Sequence, residues 1–307
     1  MEKVYRNFYR NFYLNTGGFI PTGSLNQNTY PGDFFQIRNG EMIILGNIFR
    51  DGIIDLEHCK LSYASKLNPS SWSFGDGVTK PYSGRESGHD PMGREFEFSK
   101  QILAFADYGC FIFKGNDPES VKIANWSELQ QQLIIKLTQT IYSFRNIYVV
   151  TEVATTSDWT LAIASSGKAE LEIATEDDNF GLVHIFGYHP VKTIQSKDIE
   201  FYSRESKRKP CFFRAKKLMV QDERLEVFIS DLISRRQGQD EWASGFFDYN
   251  FDSVPVNTAQ VPGAARASLL DMLHANQLNP NTALLYFRWA EANLDDVEKL
   301  FLDYGNL

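Results

Sequence analysis

The sequence contains few cysteines and no long apolar run. Cys59, Cys110 and Cys211 are the three cysteines among 307 residues, and no two of them form a Cys-x-x-Cys motif. Widely spaced cysteines give no disulfide framework and are typical of a reducing cytosol. No apolar run approaches the roughly 18 residues of a transmembrane helix, and the N-terminus lacks an apolar signal core. We therefore expect a protein that is cytoplasmic in its resting state.

The motifs of common catalytic and metal sites are also missing. The five histidines show no His-x-x-x-His spacing and are not joined to cysteines at the spacing of a zinc site. No Gly-x-Ser-x-Gly elbow occurs, and the glycine-rich stretches 75–77 and 84–88 do not lead into Lys-Ser/Thr at P-loop spacing. We predict that the protein is not an enzyme and binds no metal and no cofactor. An enzyme whose site is assembled from scattered residues around 68–93 remains an alternative.

Positive charge is in the minority. The net charge is −8, which argues against a nucleic-acid-binding protein, and we expect no nucleic-acid partner. Apolar residues make up 43% of the chain and aromatic residues 14%. This composition is that of a folded domain with a β-rich core.

Several stretches show the two-residue period of β-strands. Residues 147–174 alternate apolar and polar side chains, which predicts a β-meander with one apolar face, in which Gly167 supplies a positive φ at a turn. Residues 33–49 read as a hairpin around Asn39-Gly40, and the helical period predicts helices over 126–144 and 222–236. Other strands are predicted at 95–99, 102–113, 180–188, 199–203 and 211–220, and a long loop at 68–93.

The C-terminal part has a different pattern. Residues 251–267 are rich in proline, glycine and small residues, which is typical of a linker that proteases cut. Short helices are predicted at 269–276, from Pro280 after the cap Asn279, and at 294–304 after the cap Asn293. The residues expected to form their shared core are Leu269, Leu270, Leu273, Leu284, Leu285, Trp289, Val297, Leu300 and Phe301.

These patterns predict an α+β fold. It consists of a twisted, mainly antiparallel β-sheet with flanking helices, followed by a short all-helical C-terminal segment. The expected division is a β-rich domain over 1–250, a linker over 251–267 and a three-helix segment over 268–307.

Two regions are locally basic. On an N-terminal helix, Lys3, Arg6 and Arg10 would form a basic stripe beside the apolar Phe8 and Phe12. Such a helix either rests on anionic lipid headgroups or docks on the body by its aromatic side. The stretch 204–217 holds seven basic residues and one acidic residue. It fits a lipid surface, RNA, an acidic partner or a solvated hairpin tip, and the acidic tail, with a balance of −4 from residue 267 onwards, is a candidate partner.

One stretch resembles a known family. A helix running into Arg145-Asn-Ile-Tyr-Val-Val-Thr-Glu-Val153 is similar to the pore-forming domain of gasdermins, in which such a strand begins a membrane-inserting hairpin. The resemblance implies an autoinhibited protein that oligomerises in membranes and permeabilises them after proteolytic release of its C-terminal segment. It also implies a role in cell death or immune defence, a move from cytoplasm to membrane, and three partners: anionic membrane lipids, an activating protease and other copies of the chain.

The resemblance assigns roles to residues of this sequence. Lipid headgroups would be held by Lys3, Arg6, Arg10, Lys207, Arg208, Lys209, Arg214, Lys216 and Lys217. The membrane-inserting strands would present Ile147, Val149, Val153, Trp159, Leu161, Ile163, Leu171 and Ile173. Their outer, polar side would place Glu152, Glu170 and Glu172 in a pore lumen. The cleavage region would include Arg236 and Arg266.

The sequence departs from the family in two respects. It has no cysteine near its N-terminus, which some members carry for acylation. Its tail of about 40 residues is far shorter than the large inhibitory domain of animal members and is closer in scale to the short tails of bacterial and fungal relatives. The alternative is a soluble two-domain binding or adaptor protein without catalytic activity. The tail is similar in size to small ubiquitin-binding three-helix domains, although their Met-Gly-Phe loop is absent.

Overall fold

The described residues fold into three antiparallel β-sheets with helices against them. A computed structural model describes residues 3–23, 25, 27–38, 40–89, 95–140, 147–175, 191–224, 227 and 280–301. The first sheet has the order β1-β15-β10-β2-β3, with β16 added to β15, β9 to β10 and β4 to β9. The second has the order β14-β11-β8-β5 and the third β13-β12-β7-β6. This confirms the predicted α+β class.

The strands cover about half of the described residues. They are β1 (Ile20–Pro21), β2 (Asp33–Arg38), β3 (Glu41–Asn47), β4 (Leu61–Lys66), β5 (Ser73–Asp76), β6 (Val78–His89), β7 (Glu95–Phe105), β8 (Phe111–Asn116), β9 (Glu119–Ile123), β10 (Ile147–Thr155), β11 (Asp158–Ala164), β12 (Glu170–Thr175), β13 (Val191–Lys197), β14 (Ile199–Glu205), β15 (Phe212–Val220) and β16 (Phe287–Glu291). The helices are α1 (Arg6–Asn15), α2 (Trp126–Thr140), α3 (Pro280–Tyr286) and α4 (Leu294–Phe301).

The predicted meander over 147–174 is wrong in its pairing. Its three strands exist, but β10, β11 and β12 lie in three different sheets and none pairs with another. Alternation shows that a strand has an apolar face, whereas its pairing partner depends on distant segments. Gly167 is also not at a positive φ. Its missing Cβ matters for a different reason, because a Cβ there would lie 3.1 Å from the carbonyl oxygen of Ala106.

A β-bulge changes the faces of β10. The register against β15 shifts between Val150 and Glu152, so one extra residue is inserted. Ile147 and Val149 therefore face one core with α2, while Val153 joins the opposite core with Val150. The sequence predicted one face for all three, because period-2 counting assumes an unbroken strand.

The predicted loop over 68–93 is wrong. Most of it forms β5 and β6, and β6 pairs with β7 from Val78 to His89. The glycine, serine and proline residues of this stretch favour a loop, but the long pairing of β6 with β7 stabilises β6 as an exposed edge strand. Residues 95–105 form one strand where two were expected, and β13 was not predicted.

The helices are close to their predicted positions. α1 buries Phe8 and Phe12 completely, so its aromatic side is docked on the body. α2 buries Leu129, Leu133 and Leu137 against the first sheet. In the described residues, the helices and sheets enclose three large apolar cores and a small cluster around Tyr286, and the largest core holds α1, α4 and the inner strands of two sheets.

The C-terminal segment contains a strand that was not predicted. α3 begins at Pro280 and α4 follows Asn293, as expected, but β16 lies between them. The described residues of this segment share no separate core: Val297 packs with the α1 core, Ala283 with the α2 core, and Leu285 is exposed. Several predictions lie outside the described residues: the strand 180–188, the helix 222–236 beyond residue 224 except for residue 227, the linker 251–267, the helix 269–276, and Arg236 and Arg266.

Candidate functional site

The C-terminal segment covers one edge of β15. β10 occupies one edge of β15 along its length, so β1 and β16 must share the other. β1 pairs with Phe212 and Phe213, and β16 runs antiparallel from Val220 to Lys216. The backbone N–H of Ala292 extends this contact to the carbonyl of Ala215, at 2.9 Å. The segment therefore satisfies backbone groups that would otherwise form an open sheet edge.

A buried ion pair fixes the segment to the sheet. Asp296 is completely buried, and its Oδ2 lies 2.9 Å from Nζ of Lys217, a side chain that is 12% exposed. The hydroxyl of Tyr148 donates to Oδ1 of Asp296 at 2.8 Å. Asp296 and Asn293 also form a capping box at the start of α4, in which the side chain of each residue accepts a hydrogen bond from the backbone N–H of the other residue. Breaking such a buried pair is costly, so this contact defines the docked position.

Aromatic contacts lie on both sides of the ion pair. The ring of Phe301 stacks on Tyr9 of α1, with centroids 3.9 Å apart. Trp289 meets Trp126 edge to face at 5.0 Å, and its indole N–H donates to the carbonyl of Gln130 at 2.9 Å. The hydroxyl of Tyr13 donates to the carbonyl of Ala292 at 3.1 Å. The segment thus contacts α1, α2 and β15 at once.

Two further ion pairs lie at the rim. Lys216 pairs with Glu291, and its ammonium group also lies 6.0 Å from the centre of the Trp126 ring. Arg10 approaches Glu298 to 3.6 Å with both side chains partly exposed. The expected docking of the acidic tail on the 204–217 region is confirmed at Lys216 and Lys217.

The other predicted lipid-binding residues are dispersed. Arg6 and Lys207 are exposed, and the side chain of Lys3 is not described. Arg208 lies 3.5 Å from Glu119, and Lys209 pairs with Glu205. The structure brings Arg10, Lys216 and Lys217 together under the tail.

Arg214 is part of the packing between α1 and the first sheet. It pairs with Glu152 at 3.0 Å, donates to the carbonyl of Thr16 and lies 4.3 Å from the centre of the Phe19 ring. Glu152 also accepts from Ser120 at 2.6 Å, and Glu172 of the third sheet pairs with Lys100 at 2.7 Å. Two of the carboxylates expected on an outer polar side are therefore paired within the fold.

The predicted membrane-inserting residues are all buried. They are distributed over three cores: Ile147 and Val149; Val153, Trp159, Leu161 and Ile163; Leu171 and Ile173. Among the residues that the structure describes, no helix is long and apolar enough to cross a membrane. Any membrane insertion of these strands would require the sheets to open.

The described part of the chain holds no cluster of three metal-ligating side chains. Burial raises the pKa of Cys211 to about 12, and burial likewise raises the pKa of Tyr9 far above its usual range. A thiol that remains protonated is a poor nucleophile. Both groups therefore act as packing residues.

Sequence reasoning missed the role of β16. Trp289 was assigned to a core between three helices, whereas it lies on a strand against α2. The alternation of the aromatic Phe287 and Trp289 around the charged Arg288 was a usable signal. Short length and flanking helical patterns concealed it.

No family model matches the chain, and no curated protein matches it. Among solved structures, the chain is similar to a bacterial gasdermin from Bradyrhizobium tropiciagri, with 12% sequence identity and a TM-score of 0.28. The match covers 64% of this chain and 80% of that chain.

Proposed function

We propose that this protein is an autoinhibited, gasdermin-like pore-forming protein whose C-terminal segment, over 268–307, holds a membrane-active body over 1–250 at rest. The observation that carries the proposal is the docking of acidic residues of the segment on three basic residues predicted to bind lipid: Arg10, Lys216 and Lys217. While the segment is docked, its carboxylates occupy positions that anionic headgroups need.

Release of the segment changes the surface in two ways. It frees cations, each of which contributes about 1 kcal/mol near an anionic membrane. It also uncovers the edge of β15, which then offers unpaired backbone groups to another chain. Proteolysis within 251–267, which contains Arg266, or before it at Arg236, is the proposed trigger.

Membrane insertion is proposed to use the strands of 147–175. Their apolar side chains are buried in the resting fold, and lipid would take the place of protein around them. Strands cross lipid only when every edge is paired, so opening and oligomerisation of several copies must occur together. Cell death or immune defence would follow from the loss of the membrane barrier.

The decisive experiment measures dye release from anionic liposomes. Full-length protein with a protease site engineered into 256–264 is compared before and after cutting, next to a protein with a scrambled site treated identically. We expect leakage only from the cut protein. Absence of leakage from fully cut protein on several lipid compositions would refute the pore-forming proposal and favour the alternative of a soluble binding protein.

A second set of variants tests the lipid contacts. Arg6→Glu combined with Lys207→Glu changes two exposed cations and is expected to lower vesicle binding of the cut protein by about tenfold or more, from about 1 kcal/mol per charge. Lys168→Glu combined with Lys197→Glu is the matched control, because it changes the net charge equally and both residues are exposed but lie outside the predicted set. Equal loss in all variants would mean that net charge, and not these positions, determines binding.

A further inference from the structure

The edge of β15 and the surface beside it have the features of a peptide-binding site. We propose that this edge, now occupied by β16, binds an extended segment of another protein that carries an aromatic residue followed two positions later by a carboxylate. Partner binding and docking of β16 exclude each other. The inference is independent of membrane activity, because peptide binding alone tests it.

The backbone part of the site is the stretch from Lys216 to Val220. Five residues of β16 pair with it in antiparallel register, with Phe287 opposite Val220 and Glu291 opposite Lys216. Among the described residues, no other strand lies at this part of the edge. Any extended segment can use the same backbone groups, which is how β-augmentation obtains affinity without a fixed sequence.

Side chains on one face of the edge select the ligand. Leu218 lies opposite Trp289, and the Trp126 ring and the Gln130 carbonyl of α2 receive the Trp289 indole. This combination of an apolar wall and one hydrogen-bond acceptor fits an aromatic residue with an N–H or O–H group.

The carboxylate position is set by Lys216. Because alternate residues of a strand share a face, the residue two positions after the aromatic one lies on the same side of the sheet. In β16 this residue is Glu291, directly opposite Lys216 and paired with it. The side chain of Glu291 is 67% exposed, so the pair selects by charge and adds little to the packing.

The chain's own strand, β16, competes with any partner for the edge of β15. β16 belongs to the same chain, so its local concentration is on the order of millimolar. A free segment therefore binds well only when β16 is weakened. Glu291→Lys weakens it at an exposed residue, where folding of the rest of the chain is not at risk.

The test uses the full chain and a fluorescein-labelled peptide of residues 286–296, read by fluorescence anisotropy. We expect the peptide to bind the Glu291→Lys chain about threefold to tenfold more tightly than the unmodified chain, since an exposed ion pair contributes up to about 1 kcal/mol. A peptide with Trp289→Ala and a peptide of scrambled order are the controls and should bind more weakly than the unmodified peptide. The Lys216→Glu chain should prefer a peptide with Glu291→Lys to the unmodified peptide, because this combination restores the same ion pair with its charges exchanged.

Three results would overturn the proposal. One is equal binding by the unmodified and Glu291→Lys chains, which would place the peptide elsewhere. Another is the absence of any charge preference in the swap. The third is a sedimentation result in which the chain itself associates and this association explains the rise in anisotropy, because the occupant of the edge would then be a second copy of this chain. Dye release plays no part in these outcomes, so they are separate from the failure of the pore-forming proposal.

Discussion

Replacement of Asp296 by alanine tests how the C-terminal segment is held. The change leaves Lys217, 12% exposed, without its carboxylate and removes the acceptor of the Tyr148 hydroxyl. Removing one partner of a buried ion pair costs about 3–5 kcal/mol. The capping box with Asn293 is lost as well, at about 1 kcal/mol. Since 1.4 kcal/mol is about tenfold in an equilibrium constant, the docked state should weaken by about a thousandfold or more.

Hydrogen exchange measures the weakened docking directly in the C-terminal segment. Peptides covering 287–291 and 294–301 are followed by mass spectrometry in both proteins, and urea unfolding by tryptophan fluorescence reports the stability of the whole chain. We expect faster exchange in both peptides of Asp296→Ala, while α2 between 126 and 140 keeps its protection. Exchange that changes by less than about threefold would refute the assignment of Asp296 as the main polar anchor.

Two further variants separate charge from packing. Glu298→Ala removes the partner of Arg10, but both side chains are partly exposed, so we expect an effect below about 1 kcal/mol. The double variant Lys217→Met with Asp296→Leu removes both charges and should recover much of the lost protection, because an apolar pair often replaces a buried ion pair without loss. An equal effect of Glu298→Ala and Asp296→Ala would contradict this account.

Three other expectations follow from single contacts. Phe301→Ala removes the ring stacked on Tyr9 and should lower the free energy of unfolding by about 3 kcal/mol in urea, whereas loss below about 1 kcal/mol would mean that α4 is not held by this ring. Burial raises the pKa of Cys211 to about 12, so the protonated thiol stabilises the fold fully below pH 9 and this contribution is lost as pH rises towards 12. Cys211→Ala should therefore reduce the alkaline decrease in the free energy of unfolding by about 1.4 kcal/mol per pH unit above 9. Parallel plots of this free energy against pH for both proteins would disprove the account. Ala64→Gly should raise the free energy of unfolding by about 0.5–1 kcal/mol, because Ala64 has a φ of 50°, and a decrease would show that its side chain matters more than its backbone.

Elements with strong local signals were predictable. The helix starting at Pro280 and the capped helix after Asn293 follow from residues within one turn of their N-termini. The stripe of α2 and the hairpin of β2 and β3 likewise depend on neighbours in sequence. The candidate site was predicted in part: the acidic tail and basic 204–217 region were identified, and the pairs at Lys216 and Lys217 connect them.

Other features depend on residues far apart in the chain. β10 lies between β15, β2 and β9, and nothing within residues 147–155 selects these partners. The bulge that moves Val153 to the opposite face arises from register against β15. β16 is a strand because an open edge is available beside it, although its five residues lie between two helices.

The sequence by itself determined the class of the fold, the amphipathic character of most elements and the opposite charges of the tail and the 204–217 region. These properties are set by side chains within a few residues of each other. The tertiary structure alone decided which strands pair, which lysines lie under the tail and that Asp296 is completely buried. Such choices require the closing of long loops and the competition of many apolar surfaces, and neither is encoded in a local pattern.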